Sequence, residues 1–258
     1  MTRVSILGTG IDEISKAGAV DFAYQCFEHR RGAYVVTPNT EIVLAARKNR
    51  ALRAALDAAA LSLPDGAGVL IASRILKTPI AERIAGIDFA EALLARMEKQ
   101  GKSVFLLGAK PGVAERAAEA LRESCPGLVI AGTEDGFRGM NDEAALIGRI
   151  NARSPDLLLV CLGSPKQELW MYRNAPRLKV GLMAGLGGAL DVFARDVKRS
   201  PAILRKCGFE WLYRLLQQPR RIGRCLALPM IVPAAIAERI KRKRENYGKR
   251  KTDRIRGN

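Results

Sequence analysis

A chain of 258 residues that is 48% hydrophobic and only 5% aromatic can bury a sizeable core of aliphatic residues and alanine, in one large domain or two small ones. It holds no run of about 18 apolar residues and begins with a polar stretch, so neither a transmembrane helix nor a signal peptide is expected. The net charge of +17 points to a polyanionic partner, and five cysteines without a CxxC pair read as reduced thiols in a cytosolic compartment.

Short apolar strands alternate with helical patterns along the chain. "VSILG" (4–8) predicts a strand, and Ile11 to His29 a loop and helix. "AYVVT" (33–37) is a second strand, followed by helical "NTEIVLAARKN" and "ALRAALDAAA". "LSLPDG" (61–66) is a short strand ending in a turn, and "GIDFAEALLARMEKQG" an amphipathic helix stopped by Gly101. "SVFLLG" is a strand, and "PGVAERAAEALRES" a helix opened by proline. "LVIAG" and "DLLLVCLG" are strands separated by the helix "DEAALIGRINA", and "LKVGLMAG" is the last strand. The order predicts a Rossmann-like α/β fold with a largely parallel sheet flanked by helices. Almost continuous apolar strands fit burial on both faces.

Glycines recur at strand ends: Gly8, Gly66, Gly108, Gly132, Gly163 and Gly185. In open α/β sheets ligands bind at these carboxyl ends, where glycine admits a phosphate close to backbone. Several in succession point to an anionic or nucleotide-like ligand. "GTGIDE" has Glu13 where a dinucleotide fingerprint needs its third glycine, and no P-loop lysine pattern occurs, which argues against a nicotinamide enzyme and a P-loop NTPase. The single histidine, His29, has no sequence partner for a metal site and reads as a surface residue. "LGSPKQELW" (162–170) follows the strongest apolar strand with a density of polar groups that a mere connection seldom has.

Nine blocks in order are more specific than any of these features alone. "TPNTEIV" (37–43), "LPDGAGV" (63–69), "ERIAGIDF" (82–89), "FLLGAKPGVAERAAEAL" (105–121), "DGFRG" (135–139), "LVCLGSPKQELW" (159–170), "GLGGALDV" (185–192), "VKRSP" (197–201) and "FEWLYRLLQQPRRIGR" (209–224) resemble the WecG/TagA/CpsF family of bacterial glycosyltransferases, glycosyltransferase family 26. The resemblance covers roughly residues 3–225. It implies a Rossmann-like core and a C-terminal appendage that contacts the membrane. It also implies metal-independent transfer, with inversion, of a sugar from a UDP-sugar to a polyprenyl-diphosphate-linked saccharide at the cytoplasmic membrane face. The products of such members are teichoic acid, common antigen, capsule or exopolysaccharide. Leu190, Arg195 and Ser200 depart from the family's usual residues and border one loop, where donor preference or loop position can differ.

Inverting transfer needs a base for the acceptor hydroxyl and positive charge or N–H dipoles on the departing diphosphate. Asp65, in "LPDG", is the candidate base; capping the helix that follows is its other reading. Thr37 and Asn39 either cap the next helix or, as the resemblance implies, line the pocket. Gly108, Gly136 and Gly163 are expected along the donor nucleotide sugar. Gln167 offers a neutral amide to sugar or phosphate, while Glu168, near a helix start, reads as structural. Asp191 bonds the uridine or caps a helix. No Asp-X-Asp pair occurs and no metal or other cofactor is expected, so Arg83, Arg214, Arg221 and Arg224 are the candidate cations for the diphosphates. A surface pair with Glu82 is the other reading of Arg83, and helix packing that of the three later arginines.

Residues 196–258 carry 18 Lys/Arg and 5 Asp/Glu, so the basic character belongs mainly to the C-terminal quarter. The expected organisation is a core over 1–195, a helical membrane- and acceptor-binding appendage over 196–244, and a disordered basic tail over 245–258. Within it "CLALPMIVPAAIA" (225–237), flanked by basic clusters, either lies among lipid headgroups or docks on the core. Two other functions compete: a nucleic-acid-binding protein using the basic tail, and a soluble nucleotide-sugar enzyme. No RNA-binding motif favours the first, and the broken fingerprint disfavours the second.

Overall fold

The computed structural model describes residues 2–29, 32–137, 141–201, 204, 213, 216 and 227–256. Six strands, β3 (Ala33–Val36), β4 (Leu61–Ser62), β5 (Ser103–Gly108), β6 (Val129–Glu134), β7 (Leu157–Cys161) and β8 (Leu182–Gly185), form one parallel sheet. Its order is β4-β3-β8-β7-β5-β6. All five residues of β7 are buried, which is why "LLLVC" shows no polar alternation.

Alternation along the strands divides the core. Val35, Leu106, Leu157, Leu159 and Leu182 face one side. That side is covered by α1 (Lys16–His29), α5 (Gly86–Glu98), α6 (Val113–Ser124) and the short α9 (Ala189–Phe193). Tyr34, Val36, Phe105, Leu158, Val160 and Met183 face the other. There lie α2 (Thr40–Ala46), α3 (Arg50–Asp57), α7 (Glu143–Arg153) and α8 (Lys166–Asn174). Asn39, Asn49 and Asp142 cap α2, α3 and α7 through their side-chain oxygens. The expected α/β fold is therefore the observed one.

The N-terminal segment departs from expectation. β1 (Thr2–Ile6) and β2 (Thr9–Glu13) form an antiparallel hairpin outside the main sheet, so Ile11–Glu13 is strand rather than loop. Leu7 and Gly8, at φ 51° and 85°, form its turn. Two-residue hairpin turns need positive φ, but a leucine there carries none of the usual Asn-Gly signal. Asp12, 1% exposed, ties the hairpin to the sheet. It accepts from Arg3 Nε at 2.8 Å, Arg3 Nη2 at 2.7 Å and the Ser62 N–H of β4 at 2.8 Å. That hydrogen-bonded pair holds the Arg3 guanidinium above its ordinary pKa.

The C-terminal segment also differs. α10 (Ala227–Arg256) is one helix that includes Pro233. It packs against α2 and α4 (Ala67–Ile75). Ile231 and Ala235 are buried beside Ile6, Leu7, Ile11, Val69 and Leu76. Arg242 Nη2 donates to the Ser5 carbonyl at 3.1 Å, with Glu238 holding its Nε at 3.1 Å. The docked reading of 225–237 thus describes residues 227–237, and residues 245–256, expected as a disordered tail, continue the helix. Burying a side chain such as Ile231 is worth about 1.5–3 kcal/mol, so this contact is a substantial part of the seat.

Candidate active site

The carboxyl ends of β4, β3, β8 and β7 lie side by side and bring Thr37, Asn39, Asp65, Arg83, Gly163 and Gln167, half of the expected residues, to one cleft. Thr37 ends β3. It is 7% exposed, and its hydroxyl donates to the Gly185 carbonyl at the end of β8, 3.1 Å away. Pro38 accepts from the Asp65 N–H at 3.4 Å, so the "TPN" and "LPDG" turns touch through backbone. Gly66 follows at φ 86°; a Cβ there would lie 3.8 Å from Asn39 Cβ. Gly66, not Asp65, is the N-cap of α4, and it makes no side-chain cap. Asp65 is partly buried, in the turn between β4 and α4.

Asn39 does cap α2: its Oδ1 accepts from the Ile42 N–H at 3.1 Å. Capping fixes the amide at the cleft edge and leaves Nδ2 as the end that can turn to a ligand. Gly68 allows α4 to close on α2, since a Cβ there would fall 2.1 Å from Thr40 Oγ1. Arg83, half-buried, precedes Ile84, whose N–H donates to the Pro64 carbonyl at 2.9 Å. That bond brings the arginine beside the Asp65 turn. Glu82, the partner in the other reading of Arg83, accepts from the Lys16 N–H at 3.1 Å. α5 then starts at Gly86, where a Cβ would sit 3.3 Å from Thr37 Cγ2.

The polar stretch after β7 turns inward. Gly163 takes φ 78°, the Ser164–Pro165 peptide is cis, and α8 begins. Gln167 is only 2% exposed. Its Oε1 accepts from the Gly187 N–H at 3.0 Å, and its Nε2 donates to Glu168 Oε1 at 2.9 Å. Both ends of the amide are thus engaged by protein, and Gln167 braces the turn after β8. Gly185 allows this approach: a Cβ there would meet Gln167 Nε2 at 3.2 Å and Met171 Cε at 2.6 Å. Lys166 is exposed.

The remaining glycines belong to the neighbouring half of the sheet. Gly108, at φ 125°, lets β5 pass the Cys161 carbonyl, which a Cβ would approach to 2.4 Å. Gly136 N–H donates to the Ala109 carbonyl at 3.0 Å. Both shape strand ends through backbone. Asp191, in the first turn of α9, lies near Cys161. Burial pushes the Cys161 thiol up to about 12, and the Asp191 charge adds to that shift. Arg214, Arg221 and Arg224 lie outside the described residues. A cavity of about 480 Å³ opens elsewhere, beside α9, and is lined by Glu91, Leu121, Phe193, Arg195, Lys198 and Arg199. Arg199, which the sequence reading did not single out, pairs there with Asp88 and with Glu91. It thereby fastens the segment after α9 to the helix that begins at the cleft.

Among the described helices bordering this cleft, α4 after Gly66, α5 after Ala85, α8 after Pro165 and the short α9 after Gly188 begin without a side-chain cap. Their first N–H groups and dipoles suit an anion. Asp65 and Arg83, both partly buried, bring a carboxylate and a guanidinium to the same end of the sheet.

Residues 4–245 match the Glycosyl transferase WecG/TagA/CpsF family. Among individual relatives, an N-acetylglucosaminyldiphosphoundecaprenol N-acetyl-beta-D-mannosaminyltransferase of Bacillus spizizenii is 36% identical over 209 residues, 81% of this chain and 80% of that protein. The protein of the same name from Staphylococcus aureus strain MW2 is 35% identical over 232 residues, 89% of this chain and 91% of its own.

Proposed function

This chain belongs to the WecG/TagA/CpsF family of glycosyltransferases, and from that premise we propose that it transfers a sugar from a UDP-sugar to a polyprenyl-diphosphate-linked saccharide with inversion. The observation that carries this reading is the meeting of Thr37, Asn39 and Asp65 at the carboxyl ends of β3 and β4, against the Gly185 turn. Asp65 takes the proton from the acceptor hydroxyl as its oxygen attacks the anomeric carbon. The bond to the UDP oxygen breaks as the new glycosidic bond forms on the opposite face. Arg83 and the uncapped starts of α4 and α5 stabilise the charge that develops on the diphosphate. Asn39 Nδ2 and the Gly185–Gly187 turn, braced by Gln167, position the donor, and Asp191 addresses the nucleoside. No metal enters this scheme; Arg214, Arg221 and Arg224 are proposed as further cations for the diphosphates.

The acceptor keeps its lipid in the bilayer, so the enzyme must reach a membrane surface. Among the described residues no helix is long and apolar enough to cross a membrane. α10 offers attachment instead. Ile231 and Ala235 fix one side to the core, while Met230, Pro233, Ile236 and Ile240 form an exposed stripe that runs into Lys243 and Arg244. An apolar stripe ending in cations suits an anionic leaflet, and we place the protein peripherally on the cytoplasmic face. The relatives' names specify N-acetylmannosamine as the sugar and an N-acetylglucosaminyl diphospho-lipid as the acceptor, and the same pair heads the test here. A panel of UDP-sugars is offered with a short-chain N-acetylglucosaminyl polyprenyl diphosphate, and products are read by mass. One hexosamine added to the lipid-linked acceptor supports the reading. Hydrolysis or no reaction with every donor contradicts it.

A further inference from the structure

The scheme above leaves the chemistry of Glu168 unused, and unlike the exposed Lys166 it is buried. A carboxyl at 1% exposure, one residue from Gln167 and two from the fully buried Trp170, is an expensive group to keep dry. Its Oε2 makes no hydrogen bond among the described residues. Its Oε1 accepts from Gln167 Nε2 at 2.9 Å, and the Ser164 hydroxyl and the residue's own N–H also favour the carboxylate.

The bond from Gln167 fixes the sense of an amide. Gln167 must present an acceptor to the Gly187 N–H, 3.0 Å away. If the amide were reversed, its NH₂ would face the Gly187 N–H and its oxygen would face a carboxylate, so both contacts would fail. Gly187 itself sits at φ 56°, and a Cβ there would meet nothing within 4 Å, so it borders open space. The other end of the turn, Gly185, is held by Thr37. The turn facing the donor therefore hangs from two side chains, and one of these depends on Glu168.

We infer that Glu168 is a positioning residue: its carboxyl orients the Gln167 amide, which in turn sets the Gly185–Gly187 turn for the donor. This inference rests on the cleft being the site of transfer. It does not make Glu168 an acid or base, because its carboxyl is buried behind Gln167.

The test compares Glu168→Gln, Glu168→Leu, Gln167→Ala and the double variant Gln167→Ala/Glu168→Leu in full-length protein. Steady-state transfer from UDP-N-acetylmannosamine, UDP binding by calorimetry and thermal unfolding are read for each. Glu168→Gln keeps an acceptor oxygen and should stay within a few-fold of the parent in kcat/KM. Glu168→Leu should lower kcat/KM by about 10²-fold, the usual cost of an ångström of misplacement, without loss of the folded state. The double variant should be no worse than Gln167→Ala alone, since both act through one contact. A Glu168→Leu protein with parental kinetics overturns the inference, as does a double variant whose losses multiply. If Gln167→Ala and Asp65→Asn both transfer normally, the cleft itself has been misassigned and the inference falls with it. If only the Glu168 variants transfer normally, the cleft stands and the inference alone fails.

Discussion

The Thr37 hydroxyl donates to the Gly185 carbonyl at 3.1 Å, although the two residues lie 148 apart in sequence. The bond fastens the end of β3 to the end of β8 at the floor of the cleft. Thr37→Val keeps the shape and removes the donor. Leaving a buried acceptor without its partner costs about 1–3 kcal/mol. Denaturant unfolding should show a loss of that order, with transfer lowered by at least about tenfold as the two turns drift apart. Thr37→Ser should retain most of both. A Thr37→Val protein with parental turnover would show that the bond matters to the fold alone.

Much of this arrangement was legible in the sequence. The βα alternation gave the parallel sheet, because doubly buried strands must be apolar throughout and "LLLVC" is. Asp65 stands out because it follows a strand in a Pro-Asp-Gly turn, whereas spacing alone reads Thr37 and Asn39 as caps and only the family resemblance puts them in the pocket. Other features were not legible. Leu7 gives no local sign of a hairpin turn, so β2 was missed. The apolar run ahead of Glu238 has the same composition whether it lies on lipid or docks on protein. The hairpin decides between the two, with Ser5 and Arg242 in contact at a separation of 237 residues. The Gln167–Gly187 bond likewise joins two loops that no local spacing connects.

Burial holds the Glu168 carboxyl above its ordinary value of 4.5, opposed by the hydrogen bond from Gln167 and reinforced by the nearby Glu41. The folded protein therefore keeps a proton that the unfolded chain gives up near that ordinary value. This contribution to stability is fully present below the ordinary value and is lost as pH rises through the raised one. Glu168→Gln has no proton to lose. The difference in Tm between Glu168→Gln and the parent should therefore grow in favour of the variant across that window, then level off. A difference that stays constant with pH would contradict the assignment.

The two sides of α10 should separate by substitution. Ile236 and Ile240 are about half exposed, at 47% and 48%, whereas Ile231 is 1% exposed. Ile236→Glu with Ile240→Glu should abolish pelleting with anionic liposomes and leave Tm unchanged. Ile231→Ala should cost about 2–5 kcal/mol, the range for emptying a core site. Pelleting that survives the double substitution would move the lipid contact away from this stripe.

The sequence holds no Asp-X-Asp pair, and the scheme assigns the diphosphate charge to arginines and helix N-termini. Transfer should persist in excess EDTA at an undiminished rate. Loss of activity on chelation, restored by Mg²⁺ or Mn²⁺, would show that a cation does part of that work.

The central claim is that Asp65 removes the acceptor proton in a cleft shared with Thr37 and Asn39. Asp65→Asn keeps the size of the side chain and removes the base. Single-turnover transfer to the lipid-linked acceptor, measured alongside UDP affinity, tests this most directly. The account predicts a fall of about 10²–10⁴-fold in transfer with UDP affinity and unfolding temperature kept. Transfer within a few-fold of the parent would contradict it and place the base elsewhere.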